Sequence, residues 1–326
     1  MVLQQLSGGP LAWGRLLRVS LFATAAADPV VGALLAQAAL GLELGPRLLL
    51  APLASLCVYH GAMALNDVAD LETDRLAGRA RPLVEGTISR LAASVAVVVL
   101  LSAGLGLAWL AGGLGGLTWL GGAAVIAVVY DLFGRGGLLG PLLLAAARAA
   151  NVGFGAVCVG WSLDSTSRLP LLAALLYGSY VLVVSRLGRM EDGEDDRELA
   201  GRPSVLLLQL GALLVLGPIA IGASAWFGAP GGWPSGAALV AGLLGVAFGL
   251  DQLRRAAPPL FRAAKRSAWT PAKVEGVMGL CLSRFLPFGV ASALLARASF
   301  TTLVVCLVLL GLGLAGRRLM AIFPPS

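Results

Sequence analysis

The sequence predicts an all-α, polytopic membrane helical bundle, and three observations predict it. First, 58% of the 326 residues are hydrophobic and only 13% are charged, against about 25% charged in soluble domains. A chain this apolar cannot cover itself with a solvated surface, so the bilayer must be its solvent. Second, about ten apolar stretches recur along the chain, each near the ~20 residues that a helix needs to cross the hydrocarbon core. Third, the strict apolar/polar alternation of a membrane β-barrel is absent, and helices are the other way to satisfy a backbone in lipid.

The stretches run over roughly 20–42, 47–66, 89–112, 114–130, 137–162, 170–188, 204–227, 235–251, 274–296 and 299–317. No soluble domain lies between them, so residues 1–326 read as one domain. The first stretch is too long for a cleavable signal and reads as a retained helix. The 44 Gly suit close helix packing in lipid. Cys57, Cys158, Cys281 and Cys306 are far apart in apolar stretches and read as small core residues. Trp109, Trp119, Trp161 and Trp226 fall near stretch ends, where an interfacial belt is expected.

Charge gives the orientation. With Arg15 and Arg18 placed in the cytoplasm, the even-numbered connections carry the basic residues: Arg75, Arg79 and Arg81, then Arg135, then Arg189, Arg197 and Arg202, then Arg254 to Lys273. The odd connections hold little beyond Arg47, Arg168 and Arg297. This is the positive-inside pattern, and it accounts for the net charge of +7 without nucleic acid. The expected location is the cell inner (plasma) membrane. The stretch 274–296 contains Arg284 and Pro287, so it either spans or re-enters.

The second stretch ends in Asn66-Asp67-Val68-Ala69-Asp70-Leu71-Glu72-Thr73-Asp74. Asp67, Asp70 and Asp74 are spaced i, i+3, i+7, which on a helix lines three carboxylates along one face. Like charges so placed repel unless a cation sits among them, and hard oxygen ligands suit Mg²⁺. Arg75, Arg79 and Arg81 follow at once. Arg suits bidentate phosphate contact, and Arg75 and Arg81 are the candidates here. Acids that hold a metal, followed by Arg that can hold phosphate, describe a Mg²⁺–diphosphate site.

After the sixth stretch comes Ser185-Arg186-Leu187-Gly188-Arg189-Met190-Glu191-Asp192-Gly193-Glu194-Asp195-Asp196. Asp192 and Asp196 are spaced i, i+4, with Asp195 between them. The charge pattern puts this cluster on the same side as the first, four stretches later, which hints at an internal duplication. Two facing carboxylate clusters could clamp metal ions on one diphosphate and stabilise it as a leaving group.

The pattern NDxxDxxxD over Asn66–Asp74, continued by RPLxxGxIS over Arg81–Ser89, resembles the UbiA superfamily of membrane prenyltransferases. Asp192-Gly193-Glu194-Asp195-Asp196 looks like that family's second acidic motif, and Tyr130-Asp131-Leu132-Phe133-Gly134-Arg135 looks like its Tyr-containing turn. Ala27-Asp28, Arg148-Ala149-Ala150-Asn151 and Ser185-Arg186 look more like the EboC-like branch than the quinone enzymes. The resemblance implies a bundle of nine to ten helices around a central cavity. It also implies Mg²⁺-dependent transfer of an isoprenoid from a prenyl diphosphate to an unidentified small or lipidic acceptor. Catalytic roles then fall to Asp67, Asp70, Asp192 and Asp196, with metal contacts from these and from Asp74 and Asp195. Substrate contacts fall to Asn66, Arg75, Arg81, Tyr130, Arg135, Arg148, Asn151, Arg186, Arg189 and Asp28. Two other readings use the same residues: a UbiA-like terpene cyclase with no external acceptor, and a non-catalytic prenyl-lipid binding or transport component.

Ionisable residues at membrane depth are expensive and so are functional candidates by default. Asp28 in the first stretch and Arg148 in the fifth either pair with each other or, with Asn151 one helical turn on, line an acceptor site. His60 is seven residues before Asp67, and a lone His on a helix is more often packed or hydrogen-bonded than catalytic. No Ser/His/Asp triad is arguable from the single His, and no Gly-rich nucleotide loop stands out.

Overall fold

The computed structural model describes residues 9–134, 137–190, 202–228, 271–320 and 322–323, with isolated positions between 236 and 251. Among the described residues there are helices and turns and no strand. A short α1 (Pro10–Leu16) leads into α2 (Phe22–Leu40), α3 (Leu50–Ala69) and a short extension, α4 (Leu71–Leu76). Then come α5 (Arg90–Phe133), α6 (Leu139–Cys158), α7 (Leu169–Gly188), α8 (Arg202–Gly228), α9 (Pro271–Ala296) and α10 (Phe300–Met320). Seven described helices are long and apolar enough to cross a membrane.

One of the seven, α5, is a double crossing. Its 44 residues would reach about 66 Å if straight, twice the ~30 Å hydrocarbon core. The chain turns at Gly113, where φ is 59° and ψ is −144°, a region open in practice only to glycine. A methyl group on Gly116 would overlap the Ala108 carbonyl oxygen, so the second limb lies back against the first. The stretches predicted at 89–112 and 114–130 are these two limbs. Ser89 starts the pair, its hydroxyl accepting from the Ala92 N–H at 3.1 Å, an ordinary N-cap.

Helix α2 carries Pro29 in its interior. Proline has no N–H, so the Ala25 carbonyl one turn earlier is left without its helical donor. In lipid that acceptor must be satisfied from a neighbouring helix. Ser55 of α3 donates to it at 2.7 Å and Asn151 of α6 at 3.5 Å. The same stretch brings the backbones of α2 and α6 into contact. A methyl group on Gly155 would overlap the Pro29 carbonyl oxygen, and one on Gly32 would overlap that of Val152. Small residues let the two backbones meet.

Side-chain contacts fix the helix directions. Arg18, just before α2, reaches the end of α3, and Asn66 of α3 reaches the end of α5. Gly188 at the end of α7 faces Met278 near the start of α9. At the opposite end of the bundle, Arg297 donates to the Gln37 carbonyl and Trp226 to that of Leu295. Helices α8 and α9 run parallel, since Gly217 meets Phe288 and Gly222 meets Leu295. The segment predicted at 235–251 falls between them and mostly outside the described residues. Helix α9 runs unbroken through Arg284 and Pro287 rather than turning back. Phe323 packs against Gly14 and Gly316 against Ser20, so the chain after α10 returns to the end where α1 lies.

The interior between α7 and α9 is aromatic. Tyr177 and Tyr180 pack with Phe285 and Phe288, and the Tyr180 hydroxyl donates to the Cys281 carbonyl at 2.8 Å. The outer faces expose Val98, Val99, Leu110, Leu303 and Leu307, as lipid-facing positions should. All four cysteines are free. Trp161 departs from the interfacial expectation: it is 2% exposed, packs with Trp119, and its indole N–H is satisfied by the Ser167 carbonyl at 3.0 Å.

Candidate active site

The first acidic motif does not sit on one continuous helix. Helix α3 ends at Ala69, Asp70 links it to α4, and Asp74 lies on that short turn. What joins the acids is an arginine. Arg81 Nη1 is 2.7 Å from Asp67 Oδ1 and 3.0 Å from Asp74 Oδ2. Asp67 and Asp74 are each 1% exposed and Arg81 8%. The guanidinium thus does what the spacing assigns to a shared helix face.

Two more arginines complete the charge balance. Arg18 Nη2 lies 3.5 Å from Asp67 Oδ1 and donates to Asn66 Oδ1 at 3.4 Å. Arg79 Nη1 lies 3.4 Å from Asp74 Oδ1. Arg18 has φ 49° and ψ 47°, a left-handed conformation that costs a non-glycine residue about 1–2 kcal/mol. It caps the turn before α2, and that position aims its side chain at the motif. Asn66 in turn donates from Nδ2 to Asp131 Oδ1 at 2.9 Å. Asp131 is buried at the end of α5, beside Tyr130.

Arg18, Arg79 and Asp131 are the residues that sequence reasoning missed. The positive-inside pattern alone accounts for Arg18, and its backbone conformation has no sequence signal. Asp131 does have one: it is the first charged residue after Arg90, and it closes the two apolar stretches on the side of the motif.

Arg75, expected at the diphosphate, is placed elsewhere: it is exposed and pairs with Glu72 at 3.0 Å. Its place three residues after Glu72 on the outer side of α4 turns it to solvent. Arg186 and Arg189 stand at the end of α7, leading into the second motif. Asp192, Asp195 and Asp196, like Arg135, lie outside the described residues. His60 is held by the Leu17 carbonyl, 2.6 Å from Nδ1, with its ring edge-on to Tyr59. It anchors the chain before α2 to α3.

Deeper in the bundle, Asp28, Arg148 and Asn151 meet. Arg148 Nη1 is 2.8 Å from Asp28 Oδ2, and Asn151 Nδ2 donates to the same oxygen at 3.2 Å. The pairing and the shared helix face expected of these residues are both present.

Among the described residues no three His, Cys, Asp or Glu side chains are grouped to hold a metal. Even so, the donor set fits a hard divalent cation. Asp67 Oδ2 is buried with no hydrogen-bond partner among the described residues. Asn66 and Asp74 bring further oxygens to the same end, and oxygen ligands of this kind suit Mg²⁺.

Comparison with known proteins bears on the family and the fold. The profile of the UbiA prenyltransferase family matches residues 26–270. No curated protein matches in sequence. Among solved structures, one concerning digeranylgeranylglyceryl phosphate synthase is similar with a TM-score of 0.56 at 17% identity, over 86% of this chain and 98% of that one. A UbiA homologue from Archaeoglobus fulgidus bound to DMAPP and Mg²⁺ is similar with a TM-score of 0.56 at 18% identity, over 85% and 98% of the two chains. An apo UbiA homologue from Aeropyrum pernix K1 gives 0.54 at 19% identity, over 81% and 98%. At these identities the structural likeness is one of fold, and the sequence profile is what carries descent. The chain belongs to the UbiA prenyltransferase family.

Proposed function

We propose that the chain is a Mg²⁺-dependent intramembrane prenyltransferase that moves an isoprenoid from its diphosphate to a small or lipidic acceptor. The observation that carries the reading is the buried Asp67–Arg81–Asp74 bridge at the end of α3. A family member solved with GPP and Mg²⁺ supports the same substrate class. The motifs around Asp28, Arg148 and Ser185 favour the EboC-like branch within the family.

Asn66, Asp67, Asp70 and Asp74, with Asp192, Asp195 and Asp196 of the second motif, are the residues that would hold Mg²⁺. When bound, the metal supplies positive charge against the departing diphosphate. Arg18, Arg79 and Arg81 present guanidinium groups at the same end, and each can donate to phosphate oxygens in a fixed fork. Tyr130, Arg186 and Arg189 border that end of the bundle, and Arg135 follows Tyr130 in sequence. The apolar interior behind it keeps water from an allylic carbocation. The basic connections support a cytoplasmic placement of this end.

The test uses purified protein in lipid nanodiscs with Mg²⁺, geranyl diphosphate and a lipid extract, with products read by mass spectrometry. Asp67→Asn and Asp192→Asn are each expected to lower diphosphate release at least ~100-fold, as loss of a preorganised charge site does. Wild-type turnover in both variants would sink the site assignment. A hydrocarbon or alcohol formed without any acceptor would replace transfer with cyclisation or hydrolysis.

A further inference from the structure

The buried cluster around Asp28 has an unusual balance of hydrogen-bonding groups. Asp28 is 1% exposed, Asn151 8% and Ser55 2%, and all three lie on helices long and apolar enough to cross a membrane. Arg148 and Asn151 donate within it. Arg148 turns Nη1 to Asp28 Oδ2 and donates from Nη2 to Thr24 Oγ1 at 3.2 Å, and its guanidinium lies 4.7 Å over the Phe285 ring. Asn151 Nδ2 serves Asp28 Oδ2 at 3.2 Å and Ser55 Oγ at 2.8 Å. A carboxylate only accepts, so this contact fixes which end of the Asn151 amide is nitrogen. The Ser55 hydroxyl donates to the carbonyl that Pro29 freed.

Three polar atoms have no such partner. Asp28 Oδ1 and Asn151 Oδ1 are buried without a hydrogen-bond partner among the described residues, and so is the Tyr177 hydroxyl. Tyr177 packs edge-on against the same Phe285 ring that Arg148 covers. A purely structural ion pair does not require this. Each unpaired buried group costs about 1–3 kcal/mol, and in a bilayer water does not come to relieve it. The residues stand on α2, α6 and α7, at a depth where Ser55 is twelve residues, about 18 Å, along α3 from Asp67.

We propose that this cluster is the subsite for the acceptor's polar end, and that it takes a neutral group bearing hydroxyl or amine hydrogens. The proposal rests on the prenyltransferase reading and adds the acceptor's chemical class to it. A carboxylate or phosphate would bring lone pairs to lone pairs, beside the Asp28 carboxylate, and would find the charge of Arg148 already matched. Two hydroxyl groups, as on a glycerol head, supply the hydrogens that Asp28 Oδ1 and Asn151 Oδ1 lack, and one of them can accept from Tyr177. The 18 Å to Asp67, about the rise of twelve helical residues, is a span that the diphosphate, its allylic carbon and the reacting part of the acceptor would fill between the two sites.

Two probes with the same chain and different heads test this: 1-oleoylglycerol, and 1-oleoylglycerol 3-phosphate. Binding of each to the full chain in nanodiscs is followed by native mass spectrometry. The neutral lipid is expected to bind at least tenfold tighter than the phosphate. Tyr177→Phe is expected to weaken 1-oleoylglycerol by severalfold. Removing an unpaired buried hydroxyl would leave a merely structural cluster as stable or more so, and would not touch lipid affinity. Asp28→Asn adds a second reading, but it strands the Arg148 charge, so Tyr177→Phe is the variant that decides. Equal or tighter binding of the phosphate, no specific binding of 1-oleoylglycerol, or an unchanged affinity in Tyr177→Phe overturns the proposal. Binding of geranyl diphosphate with Mg²⁺, measured on the same samples, reports the acidic motif separately. Its absence in the wild-type chain would overturn the prenyltransferase reading without deciding the head-group preference.

Discussion

At the scale of residues, one guanidinium organises the acidic end. Arg81 holds Asp67 and Asp74 at once, and both carboxylates are buried. Removing one partner from a buried ion pair strands the others, at a cost of about 3–5 kcal/mol. Arg81→Ala is therefore expected to lower thermal stability in detergent markedly. Arg81→Lys keeps one charge but not the fork, so it should keep most of the stability and raise KM for the prenyl diphosphate about tenfold, about 1.4 kcal/mol. Arg75→Ala is the contrast. Its exposed pair with Glu72 contributes about 0–1 kcal/mol, and both stability and KM should move less than twofold. The acids were legible in the sequence because Asp67, Asp70 and Asp74 crowd the mouth of an apolar helix, where their mutual repulsion demands a cation. Which arginine meets them was not legible. Arg75 and Arg81 have equal claims by spacing, and the break at Asp70 decides between them by turning α4.

At the scale of elements, two backbone features hold the bundle together. A methyl group on Gly155 would collide with the Pro29 carbonyl, and that atom is backbone that cannot step aside. Gly155→Ala is expected to part α2 from α6, lower the thermal midpoint and disturb the Asp28 cluster. Circular dichroism melts in detergent check the fall in the midpoint. Gly113→Ala is expected to destabilise by about 1–3 kcal/mol, because its φ is positive in a region other residues rarely enter. The helices were legible from hydropathy, including both limbs of α5, since a glycine-rich stretch between 112 and 116 separates them. The parallel run of α8 and α9 follows from the stretch predicted between them, but their packing on each other was not legible. Which helices lie side by side depends on which apolar faces meet, and those faces look alike in sequence.

At the scale of the whole molecule, both ends of the described chain lie with the acidic motif: Phe323 packs on Gly14, and Arg15 pairs with Glu85 at 3.2 Å. Reporter proteins fused before residue 9 and after residue 323 should therefore report the same compartment, with the basic connections, in a topology assay. Opposite answers would break the assignment of one span. The reversal at Gly113 bears on how such a topology is reached. Between Arg90 and Asp131 no residue is charged. The insertion machinery meets one long oily run, with no polar loop to tell it where the first crossing ends. A hairpin of the two limbs is the form that makes two crossings of this run, and the backbone kink at Gly113 divides them. Were the run to cross once instead of twice, every later helix would be threaded upside down. Asp192 and Asp196 would then emerge on the opposite face of the bilayer from Asp67, and the two halves of the proposed site would never meet.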